Sequence, residues 1–183
     1  MLSFLLARLK LVLRAFKSGN LTELHDLSNK YLDESVLKSD KALAEIAVIS
    51  YALHKLLTKR HITSTLIWEK AKQNITVALE QGVSALEQKN FNAFKRSLSR
   101  IVKSVEVVDK KLGHFTRDTL NKARVKYASR AYSFGLSLSQ ATELTSADLK
   151  AVQAYVGFTK AADYMPSKIT LIDRLKKLKE VWQ

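Results

Sequence analysis

The chain lacks cysteine and is poor in the residues that break helices and form turns: its 183 residues include five glycines and one proline. Without cysteine, a disulfide framework, a thiolate zinc site and thiol chemistry are excluded. The scarcity of glycine and proline leaves few hairpin turns, which argues against an all-β fold. A chain of this length buries roughly 70% of its extended surface, so neither disulfides nor a metal are needed for folding.

Sequence signatures of catalysis and metal binding are also missing. The chain contains neither a Gly-x-Gly phosphate loop nor a Gly-x-Ser-x-Gly nucleophile elbow. Its histidines form neither a His-x3-His nor a His-Glu-x-x-His pattern; they are His25, His54, His61 and His114. We therefore expect a protein that is not an enzyme and that uses no metal and no cofactor.

The N-terminal segment, residues 2–18, is apolar except for Ser3, Ser18 and four cations, which are Arg8, Lys10, Arg14 and Lys17. It is too short and too charged to span a bilayer, which takes roughly 20 apolar residues. It also lacks the basic start and the cleavage site of a secretory signal, and we expect a cytoplasmic protein. We interpret the segment as a helix buried in the core, and a helix lying in a membrane interface is the alternative.

Capping residues and apolar periodicity divide the rest of the chain into helices. Asn20, with Glu23 three residues later, predicts a helix that ends near Leu32 and is followed by a polar connection over residues 33–39. Asp40 predicts the start of the next helix, over 41–60. Further helices are predicted over 64–89, 91–112, 115–134 and 168–183. The turn near residue 90 resembles the turn between paired helices of tetratricopeptide-like hairpins.

Positive charge is in large excess, with 31 Lys and Arg against 17 Asp and Glu and a net charge of +14. Residues 89–130 hold twelve basic and three acidic side chains and carry most of this excess. Polyanions are the usual partners of such a surface. The helix predicted over 91–112 has an apolar arc of about 120° and, on another side, a basic arc of about 100°. The basic arc contains Arg96, Arg100, Lys103, Lys110 and Lys111.

The helix predicted over 115–134 continues the basic region. Its apolar residues are expected to be buried, and its cations are expected to be exposed and to contact phosphates. These cations are Arg117, Lys122, Arg124, Lys126 and Arg130.

Residues 135–157 contain two capping boxes, Ser137 with Gln140 and Thr145 with Asp148. They predict a short helix, a turn near Thr145 and a second short helix that ends at Gly157, which is helix-turn-helix spacing.

This stretch resembles the helix-turn-helix of small archaeal and bacterial regulators and antitoxins, and the chain as a whole resembles small archaeal helical proteins. The matching residues are Gly135, Leu136, Ser137, Gln140, Ala141 and Leu144. The resemblance implies a DNA-binding regulator whose second helix presents Lys150 and Gln153 to a groove. That helix has no arginine to read guanine edges, so we expect contacts with phosphates rather than with bases.

These observations predict one all-α domain of six to eight helices. A bundle over 1–135 would carry a helix-turn-helix-like segment and a C-terminal helix over 136–183, packed on it as one domain. The predicted function is binding of DNA or RNA, mainly through the phosphate backbone. A helical protein-interaction module or adaptor, which includes a homodimer, is the first alternative. A peripheral membrane protein held by residues 2–18 is the second.

Overall fold

The computed structural model describes residues 2–112 and 118–159, and the helix predicted over 168–183 lies outside them. The described residues are 87% helical and contain no strand, which confirms the all-α prediction. They form nine helices, more than the six to eight expected, because residues 60–63 make a separate one-turn helix. In chain order the helices are α1 Leu2–Ser18, α2 Leu21–Lys38, α3 Lys41–Leu57, α4 Arg60–Thr63, α5 Leu66–Glu87, α6 Phe91–Lys111, α7 Thr119–Ser133, α8 Leu138–Thr145 and α9 Leu149–Thr159.

Side-chain caps set the starts of several helices. The Asn20 side chain accepts a hydrogen bond from the Glu23 N–H at 3.0 Å, and Asp40 accepts from two N–H groups of α3. Both predicted caps are therefore confirmed. Helix α5 begins at Leu66, two residues later than predicted, because the Thr65 hydroxyl is the group that accepts from the backbone of its first turn.

The predicted connection over residues 33–39 is wrong, because α2 continues to Lys38. The polar residues that suggested a loop have tertiary partners. Glu34 forms an ion pair with Arg8 of α1 at 3.2 Å, and Asp33 forms one with Arg130 of α7 at 2.9 Å. These partners keep charged residues on a packed helix, where charge-assisted hydrogen bonds offset their partial loss of water.

Helix α3 lies at the centre, with eleven of its seventeen residues buried. Helix α1 also joins this core, since Leu5, Leu9 and Val12 are at most 1% exposed. The interpretation of residues 2–18 as a helix that contributes to the core is confirmed. None of the described helices has the length and hydropathy required to cross a membrane.

The two most extensive helix pairings are formed by helices that follow one another in the chain. Helices α2 and α3 form one helical hairpin, and α5 and α6 form another that packs against α1. Helix α7 contributes Leu120 and Ala123 to the main core and Ala131 to a second, smaller core shared with α8 and α9. Helices α8 and α9 pack on α7, and Glu143 of α8 also forms an ion pair with Lys41 of α3 at 2.6 Å.

Gly82 lies where α5 meets α6 and α1 most closely. A Cβ atom at this position would stand 2.6 Å from Ser97 Oγ and 3.0 Å from Leu9 Cδ2. Ser97 is buried and its hydroxyl donates to the Phe94 carbonyl at 2.7 Å, so it cannot turn away without losing that bond. The glycine is therefore explained by close helix packing, which offsets its poor helix propensity.

We expect Gly82→Ala to lower the free energy of unfolding by about 1 kcal/mol. Overpacking costs roughly 1–3 kcal/mol, and the higher helix propensity of alanine offsets roughly 1 kcal/mol of this cost. Urea denaturation measures the change. The matched control is Gly157→Ala in α9, where a Cβ meets nothing within 4 Å, and which should gain up to about 1 kcal/mol. Adding Ser97→Ala should rescue Gly82→Ala; a stabilising Gly82→Ala would contradict the close-packing explanation.

Candidate nucleic-acid interface

Helix α6 is divided cleanly into a core face and a basic face. Its core face is buried, as predicted, and consists mainly of Phe94, Leu98, Ile101, Val105 and Val108. Its basic face is exposed along its whole length and consists of Arg96, Arg100, Lys103, Lys110 and Lys111. The structure therefore brings five predicted site residues together on one helix, over about 22 Å at 1.5 Å per residue. We call these five side chains the α6 basic face.

The acidic residues near the α6 basic face are mostly committed elsewhere. Helix α5 directs Glu80 and Glu87 to α1, where they pair with Lys17 at 2.5 Å and Lys10 at 2.7 Å. On α6 itself, Asp109 accepts two hydrogen bonds from Thr119, which leaves Glu106 as the other acid of the helix.

Within the part of the chain that the structure describes, no cation of the α6 basic face forms an ion pair. The Arg100 guanidinium donates to a neutral acceptor, Gln81 Oε1, at 2.6 Å. The α6 basic face consequently keeps its positive charge.

The prediction that α7 exposes its cations is wrong for Arg124, Lys126 and Arg130, which are half-buried. Lys126 donates to the Tyr51 hydroxyl of α3 at 2.9 Å. Arg130 donates to α2 and completes the ion pair with Asp33. Lys126 and Arg130 therefore bond α7 to α3 and to α2. Helix α7 is covered by protein on more sides than its sequence pattern indicates.

The remaining predicted site residue on α7, Lys122, is exposed, and Arg117 lies outside the described residues.

The first capping box of the 135–157 segment is confirmed, with Ser137 and Gln140 bonded reciprocally at the start of α8. The second is wrong. Thr145 is the last residue of α8 and its hydroxyl donates to the Ala141 carbonyl at 2.9 Å, whereas Asp148 is the residue that accepts from the first turn of α9. Ser146, in the left-handed region at φ 54°, ends α8.

Helix α9 does not end at Gly157 but continues to Thr159. Lys150 and Gln153 are both exposed on it, whereas Val152 is buried. With one cation and no arginine, α9 offers one contact to a phosphate and lacks the guanidinium fork with which base readers commonly contact guanine.

A groove of about 380 Å³ runs between the first half of α5 and the second half of α6. Lys70, Lys103 and Lys111 line it together with apolar side chains, of which Leu66 is 76% and Val107 is 46% exposed. We call it the α5–α6 groove. Sequence reasoning identified two of its lysines but missed Leu66 and Lys70, because both helices must be in place before these residues become neighbours.

Two of the histidines belong to an aromatic cluster. The rings of His25 and His54 lie 5.1 Å apart, and Tyr51 packs beside both. His54 Nδ1 lies 3.0 Å from the Leu21 carbonyl, to which it donates as Nδ1–H. Among the residues the structure describes, no group of three potential metal ligands comes together. Burial lowers the pKa of His54, so the cluster favours the neutral ring.

This lowered pKa predicts a pH-dependent stability. Between the ordinary histidine pKa of 6.5 and the lower value in the folded protein, the unfolded chain binds more protons at His54. The free energy of unfolding should therefore fall as the pH falls through this window. Urea denaturation between about pH 5 and 7 should show a shallower fall for His54→Gln than for the wild type.

Burial raises the pKa of Glu45, which acts in the opposite direction, but it does so in both proteins and cancels in the comparison. Identical pH profiles for the two proteins would contradict the assignment to His54.

Comparison of the chain with protein-family models, with curated proteins and with solved structures finds no match. Its function is therefore inferred from the geometry of the chain itself. Its strongest feature is the α6 basic face.

Proposed function

We propose that the protein binds nucleic acid through the phosphate backbone, with the α6 basic face as the interface. One observation carries the proposal: five exposed cations line one rigid helix, and within the described residues none of them has an ion-pair partner. A straight array of this length can follow successive phosphates, and binding would release the counterions condensed on them.

The proposed binding is independent of base sequence. Phosphate contacts position a protein on a duplex but carry no sequence information. The α8–α9 pair is proposed as a helix-turn-helix-like element that adds one further phosphate contact, through Lys150, beside Gln153. Lys122 is exposed as well and is a candidate for the edge of the interface.

The salt dependence of binding tests the proposal. Because each phosphate neutralised on B-DNA contributes about 0.9 to the slope of log K against log salt, removing three cations with Arg96→Gln, Arg100→Gln and Lys103→Gln should reduce that slope by about 2.7. Fluorescence anisotropy with labelled duplexes of two unrelated sequences provides the measurement, and both sequences should respond equally.

The matched control removes three exposed cations from other helices, with Lys30→Gln, Arg60→Gln and Lys72→Gln. It changes the net charge by the same amount and should leave most of the slope intact. Equal losses in the two triple variants would show a general charge effect and would contradict an interface on α6.

A second candidate function, a protein-interaction module, is favoured by the α5–α6 groove. A surface made only for phosphates would not need Leu66 and Val107 exposed between three lysines. The apolar floor and the basic rim are complementary to an amphipathic helix with acidic flanks, a common mode of groove recognition. A second copy of this chain is a poor occupant, because both copies carry a net charge of +14.

A designed 18-residue helix with leucines on one face and glutamates beside them tests the second candidate. The double variant Leu66→Ser and Val107→Ser should weaken its binding at least tenfold in anisotropy titrations, while binding of DNA stays unchanged. Arg96→Gln, outside the groove, should affect DNA but not the peptide. Loss of DNA binding in the serine variant, with peptide binding retained, would contradict a peptide groove.

A further inference from the structure

A cavity of about 760 Å³ lies on another part of the molecule, at the junction of α3, α6, α7 and the end of α8. Its volume lies within the range of small-molecule sites, which is roughly 300–1,000 Å³. Its walls are predominantly apolar and aromatic, with Val48 and Ile49 from α3, Phe91, Phe94 and Leu98 from α6, and Leu120 from α7.

Two ionisable groups of opposite charge, on different helices, line this cavity. Glu45 of α3 and Arg124 of α7 are both half-buried cavity residues. Neither makes a hydrogen bond or an ion pair with any residue that the structure describes. Burial raises the pKa of Glu45, although Arg124 and Lys95 oppose that shift. A guanidinium with reduced hydration is costly without a hydrogen-bonded partner, and an anionic ligand at Arg124 would remove part of that cost.

The charge that remains for a ligand is positive. Lys41 is engaged by Glu143 at 2.6 Å, and Lys38 lies over the Phe4 ring at 3.7 Å. Asp40 is occupied as the cap of α3. Lys95 likewise lies over the Phe91 ring, at 4.9 Å. Among the described cavity residues the cations of Lys38, Lys95 and Arg124 stand against the carboxylates of Asp40 and Glu45, so the cavity favours an anion, but one of low charge.

We propose that this cavity binds a small amphipathic monocarboxylate, with its carboxylate at Arg124 and its apolar body against Phe91, Phe94 and Leu98. Arginine recognises carboxylates by two parallel hydrogen bonds, which gives the head group a defined position. Glu45 stands on the same cavity as a like charge and selects against ligands with a second carboxylate. The site is separate from the proposed nucleic-acid interface, because no cation of the α6 basic face lines the cavity.

Isothermal titration of the full chain with decanoate tests this proposal. The wild type should bind decanoate at one saturable site, and decanol and the dicarboxylate sebacate at least tenfold more weakly. Arg124→Gln should weaken decanoate binding at least tenfold, and Arg124→Lys should retain part of the affinity. Glu45→Gln should tighten decanoate binding severalfold and reduce the discrimination against sebacate.

The opposite directions expected for Glu45→Gln and Arg124→Gln keep the test decisive, since a misfolded variant does not gain affinity. The triple variant of the α6 basic face should bind decanoate like the wild type, so failure of the nucleic-acid proposal would leave this result unaffected. Equal binding of decanoate and decanol, or weaker decanoate binding by Glu45→Gln, would overturn the proposal.

Discussion

The burial of one face of α6 is the constraint on which the proposed interface depends. Five large apolar side chains of this helix lie in the core, and each contributes roughly 1.5–3 kcal/mol when fully buried. An exposed ion pair contributes at most about 1 kcal/mol. The apolar face therefore fixes the rotation of α6 about its axis, and every cation on the opposite face points outward as a consequence of core packing rather than of its own contacts.

The distribution of acidic residues decides how much of that charge remains. The ion pairs between α1 and α5 are exposed and stabilise the fold only slightly. Their larger effect is on the surface potential, because they commit Glu80 and Glu87 to α1 rather than to α6. With these two carboxylates paired to α1, the α6 basic face keeps its positive charge, which is what a polyanion would recognise.

Local signals predicted three of the helix caps, and tertiary contacts account for the error at the end of α2. Asn20, Asp40 and Ser137 cap helices as predicted, since a cap involves only its own first turn. The end of α2 was mispredicted because Glu34 and Asp33, in the predicted loop, form ion pairs with Arg8 and Arg130, which are distant in sequence.

Local sequence patterns also predicted the candidate binding surfaces only in part. The α6 basic face follows from a 3.6-residue period and was predictable, whereas the inward turn of the α7 cations was not. The cavity at Arg124 and the α5–α6 groove arise only when helices from distant parts of the chain come together. No local pattern indicates them.

The most direct test of the account is to map where a nucleic acid contacts the protein. Titration of the isotope-labelled chain with a short duplex, followed by amide and side-chain NMR shifts, provides that map residue by residue. We predict that the perturbed residues cluster on the α6 basic face, from Arg96 to Lys111, and that duplexes of unrelated sequence perturb the same residues. Perturbations confined to α8 and α9, or scattered over α1 and α2, would contradict an interface on α6.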